Sequence, residues 1–511
     1  MPQESRVKKS LLNARVNLIF YFLTLALSFF SRKIFLDTLG ADFIGFTSTI
    51  SNILAYLNLA ELGIGSAIGY VLYKPLFDHD QQRINEIISV MGYLYKWVGS
   101  IILVGGCILA CFLPLIFPST GFNTSLIFFA YFSFLVSSLL GYFCNYKQTL
   151  LGADQRNYVV TAYFQGCNII KTIIQIILVY YTANYYLWVG IELSFGILFS
   201  LILNIRIRQV YPWLHTETKQ GPLLLKKYPE INKYVKQLFI QKISGTVQWW
   251  TIPILTYAFT TLSTVAFYGN YTIITDKLSQ LVNTFLESTS AGVGNLIAEG
   301  NTKRIENIFW QLISLRYFVG FNICFDIYML INPFIYLWLG AEYLLSNIVV
   351  LLLCISCLIS FTRGGIMQFV YGYGLFYDIW ASIVEVVINL SVACIGGYFW
   401  GLPGVLLGGI TSQTIIIMIW KPYFLFKQGF HRPPLDYWKK LSKIVISLSV
   451  PAFIIYIINS EVHIPTSSVI DWIIYAFIIF ICYVLSSLTC LLISISEFRI
   501  FLKTIIVKHN K

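Results

Sequence analysis

Charged residues are scarce in this chain of 511 residues. Asp, Glu, Lys and Arg make up 11% of it and hydrophobic residues 57%, whereas soluble domains carry about 25% charged residues. A helix needs about 20 apolar residues to cross about 30 Å of hydrocarbon. Long windows contain no charged residue, among them 97–146, 243–275, 343–362, 386–420, 444–460 and 472–496. Most of these can hold one span, and the first and fourth can hold more. This scarcity excludes a soluble globular protein and predicts a membrane protein of many spans.

Residues that serve catalysis or metal binding are also sparse. The five His lie far apart in predicted loops and the tail. Cys354 and Cys357 have C-x-x-C spacing, but no second pair or nearby His completes a metal set. We therefore expect a transporter rather than an enzyme, without a metal or cofactor. Residues 1–15 are polar, and no small-residue cleavage site follows the first apolar segment, so we expect no cleaved signal peptide.

One pattern of motifs occurs twice. Its first copy reads FIGF from Phe43, then AELGIGSAIG, then RINEII from Arg83. The second copy reads FYGN from Phe267, then STSAGVGNLIAEG, then RIENIF from Arg304. The offset between the copies is about 221–224 residues, and the order of features is kept. The sequence therefore predicts two copies of one helical unit.

Hydropathy predicts an all-α integral membrane protein with fourteen transmembrane helices. Two parallel six-helix repeats form an N-lobe (1–205) and a C-lobe (237–420), joined by a basic linker (206–236), and residues 421–511 hold a second basic linker, two further spans and a tail. The predicted spans are 14–36, 43–73, 91–117, 124–146, 158–181, 186–205, 237–261, 267–298, 308–335, 344–370, 378–398, 403–420, 444–460 and 472–495.

The distribution of basic residues predicts the orientation. With both termini in the cytoplasm, 27 of the 35 Lys and Arg residues lie in cytoplasmic segments, as the positive-inside rule requires. Six spans in each half let both halves enter the membrane from the same side. The repeats are then related by an axis along the membrane normal, and a cavity is expected between them. The connectors 81–89 and 302–311 mix charged and apolar residues, which predicts short interfacial helices.

Charged residues inside predicted spans are the candidates for function. A charge that faces lipid at the bilayer centre costs at least about 2.5–3.5 kcal/mol, so each should face a wet cavity or a partner. Lys171 and Glu192 lie on consecutive spans. They either form a structural ion pair or take part in transport.

The repeated unit carries a second polar set. Asp276, Lys277 and Glu287 lie in span 8, and Glu61 holds a comparable place in span 2. These residues either line a transport path or form a packed polar seam between the lobes. The nearby runs LGIGSAIG and GVGN follow no strand and lack the lysine of a phosphate loop, so we interpret them as sites of close helix packing.

These motifs together resemble a known family. A first span that ends in FLDTLGADFIGF, a second that ends in LAELGIGSAIG, the RINEII connector, the repeat of all three and two extra C-terminal spans are similar to polysaccharide exporters of the multidrug/oligosaccharidyl-lipid/polysaccharide (MOP) transporter superfamily. The resemblance covers essentially the whole chain. Members similar to it are flippases for O-antigen (lipopolysaccharide) or capsule repeat units.

The resemblance implies a flippase of the bacterial inner membrane. It would move undecaprenyl-pyrophosphate-linked oligosaccharides from the cytoplasmic to the periplasmic leaflet by alternating access. In such proteins a cationic cavity lies between spans 1, 2, 7 and 8, and the residues of this chain that would bind substrate there are Arg15, Glu61, Lys242 and Lys277. The implied partners are membrane lipids and the polymerase and glycosyltransferases of the same pathway, and not nucleic acid.

Intramembrane carboxylates often bind ions in transporters. Asp276, Glu287 and Asp326 are therefore the candidates for coupling or gating, with Na⁺ or H⁺ as the ion.

Three other functions are compatible with parts of the sequence. A cation-coupled multidrug exporter of the same superfamily would be favoured by twelve spans, whereas fourteen spans and cationic residues inside them favour the flippase. A membrane-embedded polysaccharide polymerase or ligase needs a large outer loop, and the longest predicted outer loop is 461–470. A scaffold for glycan assembly would leave the cavity between the lobes without polar residues.

Overall fold

A computed structural model of the chain describes residues 6–509 except 62, 119–120, 155, 288–292, 294–295, 298–299, 376 and 462–467. The described residues form helices, turns and connecting segments, and none of them lies in a β-strand. Eleven of the described helices are long and apolar enough to cross a membrane. The predicted all-α, multi-pass membrane fold is therefore confirmed.

Contacts between helices divide the chain into two units, Met1–Ala266 and Phe267–Lys511. The predicted lobe limits at 205 and 237 concern the sequence repeat and stay a prediction. The first unit contains α1 (Arg6–Leu57), α2 (Ile64–Phe77), α3 (Gln81–Ala110), α4 (Thr124–Phe143), α5 (Asn157–Thr182), α6 (Tyr185–Val210) and α7 (Pro229–Phe259). Helix α8 (Leu262–Glu287) crosses the boundary. The second unit continues with α9 (Thr302–Trp338), α10 (Asn347–Gly372), α11 (Ile379–Trp400), α12 (Leu402–Gln428), α13 (Leu435–Glu461), α14 (Val469–Ser494) and α15 (Ser496–His509).

The predicted span 43–73 is wrong as a single helix. The helical path bends at Gly40, which has φ 81° and ψ 160°, and α1 ends at Leu57. A 3₁₀ turn, Asn58–Glu61, follows, and Gly63 has φ 93° before α2 begins. A positive φ is accessible to glycine because it has no Cβ. Gly63 therefore serves a helix break, and its interpretation as a helix-packing residue is corrected.

The predicted interfacial connectors are the first turns of long helices. Asp80 caps α3 and accepts a hydrogen bond from the backbone N–H of Arg83 at 2.9 Å, and Asn301 caps α9 and accepts one from Arg304 at 3.1 Å. Each cap satisfies an otherwise unpaired backbone donor. The prediction of separate short helices at 81–89 and 302–311 is therefore wrong, because each helix continues without a break from its cap, to Ala110 in α3 and to Trp338 in α9.

Aromatic and small residues of the repeated motif pack α1 against α6 and against the start of α8. The Phe43 ring lies 4.6 Å from that of Tyr185 and 5.6 Å from that of Trp188, centroid to centroid. Gly45 lies against the backbone of Leu262, where an added Cβ would come within 2.0 Å of the carbonyl oxygen. The FIGF motif therefore allows close contact between α1 and the start of α8.

The two C-terminal spans share one core with the rest of the second unit. Residues of α13, α14 and α15 are buried together with residues of α9, α10 and α12; those from the C-terminal helices include Tyr437, Ile444, Leu448, Leu491, Ile495 and Phe498. The Trp310 and Tyr437 rings stack at 5.8 Å. Because this core is continuous, α13–α15 are part of the folded unit.

Candidate functional site

The break between α1 and α2 places polar groups inside an otherwise apolar stretch. Glu61 lies on the 3₁₀ turn, and its Oε1 accepts a hydrogen bond from the Tyr95 hydroxyl of α3 at 2.6 Å. Asn58 Oδ1 accepts hydrogen bonds from Tyr142 at 3.0 Å and from Ser138 at 3.1 Å, both on α4. Non-helical backbone at membrane depth is tolerated where it is buried in protein or lines a water-filled cavity.

Glycine makes room for this polar cluster. A Cβ on Gly65 would lie 3.2 Å from both Glu61 Oε1 and the Tyr95 hydroxyl, which is tighter than ordinary contact. The rings of Tyr95 and Tyr142 are 5.4 Å apart, so the two hydroxyls are held on adjacent helices. The break therefore holds a carboxylate and an amide in fixed positions by hydrogen bonds from α3 and α4.

Two other predicted substrate residues in the first unit are not placed beside Glu61 by any described contact. Arg15 is exposed on α1. Lys242 lies in α7, but its side chain is outside the described residues. Their predicted roles in substrate binding stay predictions.

The polar residues of α8 lie in the second unit. Asp276 is exposed and Lys277 is half-buried. Glu287 is the last residue of α8, and its side chain is outside the described residues. Of the predicted polar stripe along α8, the structure therefore describes the side chains of Asp276 and Lys277 but not that of Glu287.

Asp326 lies on α9, on the side that packs against α14. Its Oδ1 atom is buried and has no hydrogen-bond partner among the described residues. One turn earlier, Asn322 exchanges hydrogen bonds with Ser487 of α14 at 3.2 Å. A carboxylate in hydrocarbon without a partner is costly when charged, which is the environment that favours binding of a proton or cation.

Arg316 has a structural role that the sequence analysis did not assign. It is fully buried, and its guanidinium donates to the backbone carbonyls of Phe361 at 3.1 Å and Leu286 at 2.8 Å. A Cβ on Gly364 would lie 2.5 Å from Arg316 Nη1, and one on Gly365 would lie 2.9 Å from its Cδ. The adjacent glycines Gly364 and Gly365 were the available sequence signal, because two small residues leave room for a large side chain such as that of Arg316.

The predicted ion pair of α5 and α6 is confirmed. Lys171 Nζ lies 2.6 Å from Glu192 Oε1, and Gln175 donates to the other carboxylate oxygen at 3.2 Å. The pair lies at one end of a cavity of about 600 Å³ between α4, α5 and α6. The sequence analysis missed this cavity. Its signal was the polar spacing Asn157, Thr161, Gln165, Asn168 and Lys171, which repeats every three or four residues along one face of a helix.

A second cavity is apolar and lies on the C-terminal helices. It has a volume of about 740 Å³ and is lined by α13 and α14, mostly by the side chains Ile455, Ile458, Ile478, Ile479, Cys482, Leu485 and Cys490. Such a groove is suited to a hydrocarbon chain.

Comparison with known proteins was made for the sequence and for the fold. No protein-family model and no curated protein matches the sequence. A structure of the lipid II flippase MurJ in an inward closed conformation matches with a TM-score of 0.62 and 15% identity, over 93% of this chain and 97% of that chain. An inward-facing multidrug resistance MATE family transporter of the MOP superfamily matches with a TM-score of 0.57 and 14% identity, over 81% of this chain and 98% of that chain. This chain shares the fold of these two structures.

The two matches differ in how completely they describe this chain. The MurJ structure covers 93% of it, and the MATE structure covers 81% although nearly all of the MATE chain is matched. The fold of the MurJ structure therefore extends over more of this chain than the fold of the MATE structure does.

Proposed function

We propose that this protein is a flippase for lipid-linked oligosaccharides of the O-antigen or capsule type. It would carry undecaprenyl-pyrophosphate-linked repeat units from the cytoplasmic to the periplasmic leaflet of the bacterial inner membrane by alternating access, with both termini in the cytoplasm. The observation that carries the proposal is the presence of two kinds of surface in one MOP-fold chain. Polar groups occur at the helix break of Glu61, and an apolar groove of about 740 Å³ occurs on α13 and α14.

A lipid-linked oligosaccharide requires both kinds of surface. Its diphosphate and sugars cannot cross hydrocarbon without polar groups to replace water. Its polyprenyl chain needs only apolar contact, which α13 and α14 offer. In this proposal Arg15, Lys242 and Lys277 hold the diphosphate as cations, and Glu61 orients the head group. The proposed partners of this protein are the glycosyltransferases and the polymerase of the same pathway.

Coupling to an ion gradient is part of the proposal. Asp326 is the strongest candidate because its buried Oδ1 has no described partner, and Asp276 and Glu287 on α8 are the others. Proton binding would neutralise the buried carboxylate, and Na⁺ binding would give it a counter-charge. Transport driven by a pH gradient or by a sodium gradient distinguishes the two.

The second candidate is a cation-coupled multidrug exporter, and the fold likeness to a MATE transporter supports it. A soluble drug has no need of the additional apolar groove on α13 and α14. A polymerase or ligase of surface polysaccharide is the weakest candidate, since the longest predicted outer loop is about ten residues and a polysaccharide acceptor is large.

Deletion of the gene tests the proposal. We expect undecaprenyl-pyrophosphate-linked saccharide to accumulate in the inner leaflet and surface polysaccharide to fall, as measured by lipid extraction, mass spectrometry and surface staining. Normal surface polysaccharide together with drug hypersensitivity would refute the flippase and support the exporter.

Complementation with Glu61→Gln tests the helix break in the same strain. The amide removes the negative charge of Glu61 but keeps an oxygen that can accept the Tyr95 hydrogen bond. We expect surface polysaccharide to fall at least about tenfold because the charge is lost, which corresponds to about 1.4 kcal/mol. Glu342→Gln is the matched control because Glu342 is exposed on a short turn. Full activity of Glu61→Gln at normal abundance would remove Glu61 from the site.

A further inference from the structure

The cavity between α4, α5 and α6 has the chemistry of a binding site. It is built from one face of each helix and has a volume of about 600 Å³, which lies within the range of about 300–1,000 Å³ for ligand pockets. Along α5 it extends from Asn157 to Lys171, a rise of about 21 Å at 1.5 Å per residue. It therefore occupies much of the length of a membrane-spanning helix.

Most amide side chains of this cavity have no internal hydrogen-bond partner. The side chains of Gln148, Asn157, Gln165 and Asn168 line it and make no hydrogen bond with any described residue. Ser137 also lines it, and its buried Oγ has no described partner. Amide groups that face a cavity at membrane depth need water or a polar ligand as their hydrogen-bond partner. The cavity is therefore suited to a polar ligand rather than to a hydrocarbon chain.

One amide is held in position by its neighbours. Asn145 is buried, and its Oδ1 accepts hydrogen bonds from Ser200 at 2.7 Å and from Asn204 at 3.0 Å, both on α6. Because the oxygen is occupied, the amide nitrogen is the group left to donate toward the cavity. A fixed donor of this kind selects for a ligand with an acceptor oxygen.

The cavity carries no net charge. Among the described residues that line it, Lys171 and Glu192 are the ones with a charge at neutral pH, and they neutralise each other across 2.6 Å. Gln175 occupies the second carboxylate oxygen. An anionic diphosphate or a cationic drug would find no unbalanced opposite charge in this cavity, so a neutral ligand is favoured.

Aromatic rings complete the lining. Phe164, Phe195 and Phe199 border the cavity, and the Phe164 and Phe199 rings meet edge to face at 5.2 Å. Phe164 is 45% exposed, so a ring face remains available. Sugars present hydroxyls that both donate and accept hydrogen bonds, together with apolar C–H faces that pack on aromatic rings.

We propose that this cavity binds uncharged sugar residues, and, resting on the proposed function, that these are the glycan part of the lipid-linked substrate. Arg156 directly precedes Asn157, and Lys147 directly precedes the lining residue Gln148. The positive-inside rule therefore assigns this end of the cavity to the cytoplasm. The glycan therefore binds from the side on which lipid-linked sugars are made. The diphosphate is bound elsewhere, by cationic residues.

The test uses Cys167, a native free cysteine that lines the cavity. Purified full-length protein in nanodiscs is treated with a hydrophilic methanethiosulfonate reagent, and modification of each cysteine is followed by mass spectrometry. The probe is the set of oligosaccharides released by mild acid from the surface polysaccharide of cells that carry the gene. We expect the probe to slow modification of Cys167 at least fivefold. Modification of a control cysteine introduced at an exposed residue outside the long helices, Lys219→Cys, should be unchanged.

Variants of the lining assign the effect to the amides. Gln165→Met and Asn168→Leu remove no internal hydrogen bond with described residues, so we expect normal folding and at least a tenfold higher probe concentration for half-protection. Thr172→Val is the matched control on the same helix, because Thr172 bonds only the carbonyl of Asn168 and does not line the cavity. Equal protection in the lining variants, or no protection of Cys167 in the unaltered protein, overturns the sugar site.

The test separates this inference from the proposed function. Protection of Cys167 without accumulation of lipid-linked saccharide in the deletion strain would overturn the flippase and leave the sugar site. Accumulation without protection would do the reverse. The measurement on the unaltered protein decides the matter even if a variant fails to fold.

Discussion

Charged side chains in the membrane-spanning helices are stabilised in two ways among the described residues. Lys171 pairs with Glu192, and Lys421 pairs with Asp378 at 2.7 Å. Arg316 instead donates to two backbone carbonyls. Both arrangements satisfy the charge with fixed partners, which low-polarity surroundings require. A residue such as Asp326, whose Oδ1 has neither kind of partner, is therefore the exception that suggests ion binding.

The Lys171–Glu192 pair gives a prediction at this scale. The two side chains are 13% and 25% exposed, and breaking a buried pair costs about 3–5 kcal/mol because one charge is left alone. We expect Lys171→Met to lower the free energy of unfolding by about 3 kcal/mol, the low end of that range. The loss should be seen as a lower thermal unfolding midpoint in detergent. The double variant Lys171→Met/Glu192→Leu should recover most of the loss, because no unpaired charge remains.

Intrinsic tryptophan fluorescence during heating measures the effect. Lys219→Met is the control, because Lys219 is exposed outside the long helices. Additive losses in the double variant would show that packing rather than the charge pair stabilises α5 against α6.

At the scale of elements, the decisive feature is the interruption of the second predicted span. Hydropathy does not register it, because residues 43–73 contain only Glu61 among charged residues and their average stays apolar. The break includes a left-handed backbone angle, φ 93° at Gly63, directly before α2. Glycine reaches that angle without penalty, whereas other L-residues pay about 1–2 kcal/mol.

Exchanging two glycines of the same run tests the break. We expect Gly63→Ala to destabilise the protein by about 1–2 kcal/mol because of its left-handed backbone, and to reduce transport because Glu61 moves. Gly69→Ala is the matched control: Gly69 lies inside α2, an added Cβ meets nothing within 4 Å, and alanine favours a helix by about 0.5–1 kcal/mol. Thermal unfolding and complementation measure both effects. Equal behaviour of the two variants would show that the positive φ is unimportant.

At the scale of the whole molecule, the C-terminal helices α13–α15 belong to the second unit rather than lying apart from it. Their residues enter the same core as α9 and α10. Tyr437 is fully buried and stacks on Trp310. The helices are thus required by the second unit itself, and their groove is a surface of that unit.

Truncation gives the prediction for this scale. Removal of residues 435–511 exposes the core of the second unit, so we expect the protein to be lost from the membrane rather than to become a working shorter exporter. Removal of residues 504–511 is the control. Immunoblotting of membranes and fluorescence-detected gel filtration measure the outcome. A stable, monodisperse truncated protein would show that α13–α15 are an independent addition.

The sequence determined the features that depend on local composition. The scarcity of charge and the length of the apolar windows specified a helical membrane protein, since only apolar helices satisfy their own backbone in lipid. The repeated motifs RINEII and RIENIF lie in the first turns of two helices, but the caps Asp80 and Asn301 that begin those helices were found only in the structure. Lys171 and Glu192 could be suggested as partners because their spans are consecutive.

Only the tertiary structure decided which polar groups meet and which remain without a partner. The hydrogen bond of Tyr95 to Glu61 joins residues 34 positions apart, and the lining of the cavity between α4, α5 and α6 comes from these three helices and from the segment that joins α4 to α5. Helix periodicity shows which residues share a face, but the neighbour of that face depends on packing across the whole unit. For that reason the sequence could predict a transporter, whereas the cavity in which we propose that sugar residues bind could be found only in the folded chain.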